Sequence, residues 1–340
     1  MRDGSAIVHL GRAISPGSAI HQEEDVSMQY RRLGRAGMKV SSVSLGAWLT
    51  YGGSVERDVA TQCIHAAIEN GVNFIDVADI YAKGEAEIVV GKAIRDHKRS
   101  DLVISSKVFW PMSENVNDSG LSRKHIMESV DKSLQRLGVD YLDMYFCHRY
   151  DAETPVEEVV RAMDDLVRQG KVLYWGTSTW TAAQIEDAVG TARWLNSYLP
   201  QVEQPRYNML DRHIEPEIMP IAAKHGMGLV VYSPLAQGIL TGKYNDGIPE
   251  GSRATTHEWM AKGITEEAVD KVRQLSEIAA DLGVSMAQLA LAWILRRSEI
   301  SSVITGASRP QQVLDNVKAA EIALDPAALD AIEEILDNAP

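Results

Sequence analysis

Two cysteines in 340 residues, Cys63 and Cys147, are too few for a disulfide framework and lack the spacing of metal ligands. Their scarcity makes the cytoplasm the expected compartment. Positive charge is also short: 34 Lys and Arg stand against 47 Asp and Glu, a formal net charge of −13. Such a surface repels nucleic-acid phosphates and anionic headgroups, so neither is expected as a partner. An anionic ligand has to be held by a local cluster of cations. No apolar run approaches the ~18 residues of a membrane span, and the first residues lack the apolar core of a secretory signal. The G-x-G-x-x-G turn and the G-x-x-x-x-G-K loop are missing too, since Gly46, Gly52 and Gly53 have the wrong spacing. That weighs against an open, doubly wound sheet, the runner-up architecture.

What is present is an ordinary apolar share of 45%, enough for a sizeable core. Residues 1–27 mix Gly, Ser, Pro and charge without periodicity and read as a disordered arm. Residues 28–340 are expected to form one domain. MQYRRLG and MKVSSVSLG flank a turn at Arg35-Ala36-Gly37, a plausible hairpin. After it, short apolar strands (SSVSLG, NFIDVA, LVISSK, YLDMYFCH, VLYWGTS, PQVEQ, GLVVYSP, SSVITGA) alternate with amphipathic helices. Gly71, Gly138 and Gly170 stop three helices, and Thr154-Pro155 reads as an N-cap with proline at the first helical position. Eight strand–helix units fit an α/β fold of the (β/α)8 TIM-barrel type, with an N-terminal β-hairpin. Additions are a long connection after strand seven, Gly238–Gly263, and extra helices at Ser285–Arg297 and Pro326–Asp337.

In such a barrel the reactive groups gather where strands end. Strand two ends in Asp76, strand three in Lys107 and strand four in His148, with Tyr81 in the loop after Asp76. Ser178, Gln204, Tyr232 and Ser233 end strands five, six and seven. Singly, each has a structural reading: an N-cap, a solvated strand terminus, a rim histidine, a packed ring. Jointly they make coherent chemistry. A lysine ammonium favours the phenolate of Tyr81 and lowers its pKa, an aspartate holds the lysine, and a histidine orients a carbonyl oxygen. This set suits protonation of an oxygen whose carbon is receiving hydride.

The segments FIDVADIYAKGEAE, ISSK, DYLDMYFCH, QGKVLYWGTS, QPRYNML, YSPLAQGILTGKY and GASRPQQVLDN resemble the aldo-keto reductases from residue 28 onward. GEAE, GAWLTYGG and IPEGSR are most similar to the branch holding potassium-channel beta subunits and their bacterial relatives. The resemblance implies a catalytic tetrad of Asp76, Tyr81, Lys107 and His148. The chain departs from the family at Val77, where Thr often follows the aspartate, and from the channel-subunit branch at Thr179 in GTSTW and at His148, where channel subunits commonly carry Asn. The resemblance also implies NADPH (NADP+) as cofactor and a small-molecule carbonyl substrate; no metal is expected. Tyr232 would stack on the nicotinamide, Ser178 and Gln204 would hold its carboxamide, and Trp48 and Asp76 would adjoin it. Ser233, Pro234, Leu235 and Lys243 would follow the pyrophosphate. Arg253, Gly306, Ser308, Gln312 and Asn316 would surround the adenosine end, with Arg309 or Arg253 pairing a 2′-phosphate. Gly238–Gly263 would clasp the dinucleotide. Trp48, Trp110, Trp180 and Met112 are expected to line an apolar mouth suited to neutral aldehydes and ketones.

Three function classes are open. The leading one is an NADPH-dependent carbonyl reductase, with a homo-oligomer possible. The second is a redox-sensing, channel beta-type subunit, against which His148 weighs and for which a membrane channel partner is not legible. The third is a metal-assisted barrel enzyme, for which no three-ligand set emerges.

Overall fold

The structure, a computed structural model, describes residues 28–48, 56–250, 252–256 and 261–340. The expected arm, 1–27, lies outside the described residues. Eight parallel strands close into a barrel: β3 (Val43–Gly46), β4 (Phe74–Asp76), β5 (Val103–Val108), β6 (Leu142–Cys147), β7 (Val172–Ser178), β8 (Val202–Gln204), β9 (Gly228–Val231) and β10 (Ile300–Thr305). Pairing of β10 with β3, Val303 opposite Val43 through Thr305 opposite Leu45, makes the closure. Strands covered on both faces read as apolar runs rather than alternating ones, which is why these were visible in the sequence.

The two-residue side-chain period sorts each strand into two cores. Phe74, Val103, Met144, Phe146, Val202, Val230 and Ile304 fill the barrel interior. Ile75, Ile104, Tyr145 and Cys147 face the surrounding helices instead. Both cysteines, Cys63 on helix α1 (Arg57–Glu69) and Cys147 at the end of β6, are buried.

The expected hairpin forms, but its second half divides at Ser42. β1 (Tyr30–Arg32) pairs antiparallel with β2 (Lys39–Ser41), and Val43 already belongs to the barrel. Leu33, Ala36 and Val40 of this hairpin join the interior core and plug the N-terminal end. The Arg31 guanidinium locks it there, donating to the carbonyls of Leu295, Arg297 and Ile300 at 2.7, 3.2 and 2.9 Å.

Helices α2 (Glu85–Ala93), α3 (Arg123–Leu137), α4 (Val156–Arg168), α5 (Ala182–Trp194) and α6 (Ile218–His225) surround the barrel with α1, followed by the helices Glu266–Asp281, Met286–Leu295, Pro310–Val317 and Pro326–Leu336. α3 begins with the Ser122 side chain accepting from His125 N and stops at left-handed Gly138, as the sequence implies. α4 starts one residue later than expected, because Thr154 donates to Asp151 and leaves Pro155 as the cap. The extra helix Met286–Leu295 is opened by a Ser285–Gln288 capping box, and Pro326–Leu336 by Asp325. That last helix packs on Glu266–Asp281, and its Glu333 accepts from Trp293 and Arg296.

Candidate active site

At the end opposite the hairpin, inward-facing positions turn polar. On β5, Val103, Ser105 and Lys107 share the interior face, and on β4 Asp76 follows Phe74 on the same face. Lys107 is wholly enclosed, and its Nζ donates to Asp76 Oδ2 at 2.7 Å, to the Val77 carbonyl at 2.9 Å and to Tyr81 Oη at 3.1 Å. All three ammonium hydrogens have a partner. Asp76 is fixed in turn through Oδ1, which accepts from Ser105 Oγ at 2.7 Å and Gln204 Nε2 at 3.0 Å. The His148 ring lies edge-on to Tyr81, centroids 5.9 Å apart, and its Nδ1 is buried without a hydrogen-bond partner.

These groups open into a cavity of about 840 Å³, within the ~300–1,000 Å³ usual for small-molecule and cofactor sites. It runs from Trp48, Tyr81, Trp110 and His148 past Ser178, Gln204 and Tyr232 to Lys243, Gly306, Arg309, Gln312 and Asn316. The cavity thus has one end with the Tyr81 phenol and the His148 imidazole and another end carrying Lys243 and Arg309. The sequence model of the Aldo/keto reductase family matches residues 42–337, spanning this whole barrel.

The chain belongs to the aldo/keto reductase family.

Among curated relatives, a "Probable voltage-gated potassium channel subunit beta" of Arabidopsis thaliana is 47% identical over 322 residues, 92% of this chain and 98% of the relative. A rice protein of the same name is 45% identical over the same coverage. A "Putative voltage-gated potassium channel subunit beta" of Schizosaccharomyces pombe is 45% identical over 337 residues, 95% of this chain and 97% of the relative.

The electrostatics of this aldo/keto reductase differ in one respect from the sequence expectation. Burial raises the Tyr81 pKa above that of a free phenol; Lys107 opposes the rise without cancelling it. The phenol therefore holds its proton firmly. For Lys107, burial pulls downward, but Asp76 and Tyr81 outweigh it and the ammonium is favoured. His148 is pushed well below its ordinary range by burial, then by the positive charges of Lys107 and Arg149, so its imidazole is neutral.

Of the expected cofactor residues, Trp48, Asp76, Ser178, Gln204, Tyr232, Ser233, Pro234, Leu235, Lys243, Gly306, Gln312 and Asn316 line the cavity, as does Arg309. Ser308 does not; its N–H and hydroxyl both bond Gln312 Oε1, at 2.8 and 3.1 Å, so it positions Gln312. Arg253 begins a single helical turn, and its side chain lies outside the described residues, as do parts of the expected clasp. Ser178 Oγ donates to the Gln204 carbonyl at 2.9 Å, tying β7 to β8 beneath the site.

The expected mouth needs correction. Trp180 is only 3% exposed and packs edge-on against Tyr150, because Thr179 adopts a left-handed φ of 59° and turns the chain away from strand alternation. Met112 sits in a turn closed by its N–H to the Asp118 carbonyl and does not line the cavity. Arg149 and Arg206 line it instead, so the mouth is not purely apolar. Both were legible by the strand-end argument: Arg149 follows His148 directly, and Arg206 lies two residues beyond Gln204.

Proposed function

We propose that the protein is an NADPH-dependent reductase of aldehydes and ketones, with Asp76, Tyr81, Lys107 and His148 as its catalytic residues. The observation that carries this reading is the hydrogen-bonded chain Asp76–Lys107–Tyr81 beside an uncharged His148. When bound, the reduced nicotinamide supplies the hydride that adds to the carbonyl carbon. Tyr81 gives its Oη proton to the carbonyl oxygen, and the Lys107 ammonium 3.1 Å away stabilises the phenolate left behind. Asp76 keeps that ammonium in place and charged. The neutral imidazole of His148 has one N–H to donate, which orients the carbonyl oxygen toward Tyr81.

The cavity suits the cofactor in its lining. Tyr232 offers a ring face, and its hydroxyl meets Thr179 Oγ1 at 3.4 Å. Ser233, Ala236, Gln237 and Gly238 all take left-handed φ, a backbone pattern found where peptide N–H groups gather around anions. Lys243 and Arg309 supply positive charge, and Arg309 precedes the helix Pro310–Val317, whose N-terminus favours phosphate. These residues would hold the diphosphate and the 2′-phosphate. The same reading takes residues 28–340 as one domain, acting in the cytoplasm and able to form a homo-oligomer.

Tyr81→Phe should lower turnover with NADPH and an aromatic aldehyde by about a hundredfold or more, while NADPH still quenches tryptophan fluorescence. Unchanged turnover would remove Tyr81 from its role, and a wild type that binds neither NADPH nor NADH would remove the whole reading. The names of the relatives favour a second one, a channel beta-type subunit that binds the cofactor with little turnover. Co-purification with a potassium channel, together with negligible turnover, would decide for it.

A further inference from the structure

Arg149 stands apart from the other cations around the catalytic end of the cavity. Lys107 is matched by Asp76 at 2.7 Å, and Arg206 by Asp211. Arg149 makes no ion pair among the described residues. One of its five N–H donors is used on the His148 carbonyl, at 2.5 Å, and its guanidinium lies 5.7 Å from the centre of the Trp110 ring. Glu203 is held by Thr177 and by the Trp180 N–H, and burial keeps its pKa raised, Arg149 being the weakest of the influences that oppose the rise. Of the two carboxylates that line the cavity, Asp76 is taken by Lys107, and Asp315 lies on the helix Pro310–Val317 with Gln312 and Asn316. The loop 49–55, LTYGGSV, has no charged residue in its sequence. His148 is neutral, so among the described groups beside Tyr81 the Arg149 charge has no ion-pair partner, in a chain whose net charge is −13.

Arg149 is partly exposed on the cavity wall, so water can satisfy its remaining N–H donors and a ligand entering the cavity can take them over. The planar guanidinium fork matches an anionic oxygen pair, and the ring of Trp110, 5.7 Å away, is within reach of a cation–π contact. We infer that the substrate is a carbonyl compound bearing an anionic oxygen group, which Arg149 binds while Tyr81 and His148 engage the carbonyl. The inference rests on the reductase reading and narrows it: the preferred aldehyde or ketone is charged, against the neutral class that the aromatic residues suggested. Trp48 and Trp110 then pack the body of the molecule between its two polar ends.

The test compares 3- and 4-carboxybenzaldehyde with their methyl esters, using NADPH and the full chain. The quantity read is the ratio of kcat/KM for acid over ester, which is independent of the fraction of folded enzyme. Wild type should favour an acid by about tenfold or more, Arg149→Gln should bring that ratio close to one, and Arg149→Lys should restore part of it. A wild-type ratio at or below one for both acids overturns the inference and leaves the reductase reading standing. So does a ratio that survives Arg149→Gln. No reduction of any of the four compounds by wild type overturns both.

Discussion

A single carboxyl group, Glu203, illustrates what the barrel wall demands of its residues. It faces outward from β8 and is fully enclosed between strand and helix layers, accepting from Thr177 Oγ1 and from the Trp180 N–H. Burial raises its pKa to about 7, against 4.5 for the free side chain. Between those values the folded chain keeps a proton that the unfolded chain has lost, so stability falls as pH rises from about 4.5 to about 7 and then stays lower. Glu203→Gln should therefore match wild type near pH 4 and exceed it at pH 8 by up to ~3 kcal/mol, in paired urea titrations. A difference that ignores pH would show that the group is not sealed. Asp79, held by the Ser129 hydroxyl at 2.9 Å and likewise raised to about 7, adds a parallel slope that the paired comparison cancels.

Elements were legible in the sequence where local rules act alone, and less so where a neighbour intervenes. Asp76, Lys107, His148, Ser178 and Gln204 could be placed because each lies at or within one residue of the end of a strand covered on both sides, and the barrel brings those ends together. The burial of Trp180 could not be read, because it depends on one left-handed residue, Thr179, that no motif demands. The net rise of the Tyr81 pKa escaped for a related reason: the lysine beside it was visible, the depth of its enclosure was not. Packing between helices was equally hidden. Gly91 of α2 lies so close to the end of α3 that a Cβ there would meet the Leu137 carbonyl oxygen at 2.3 Å. Gly91→Ala should thus destabilise the protein by roughly 1–3 kcal/mol, although alanine is the better helix former. A urea midpoint equal to or above wild type would show that the two helices can part without cost.

At the scale of the molecule the barrel has one stoppered end and one working end. Leu33 of the hairpin is buried in the interior core, at the opposite end of the barrel from the site residues. Leu33→Ala should cost about 2–5 kcal/mol of global stability, measured by urea unfolding, because the side chain is wholly enclosed and its removal leaves a cavity in the interior core. A loss below ~1 kcal/mol would mean that the hairpin is an ornament on a barrel that stands without it. The two cysteines have a practical consequence of their own. Cys63 lies early in the chain and Cys147 near its middle, both wholly enclosed, and burial pushes the Cys147 thiol far above its ordinary pKa. A thiol reagent finds neither until the chain opens, so the two labelling rates form a pair of native clocks for opening of the α1 layer and of the β6 strand. Equal rates would mean that the barrel yields all at once; unequal rates would name the side that yields first.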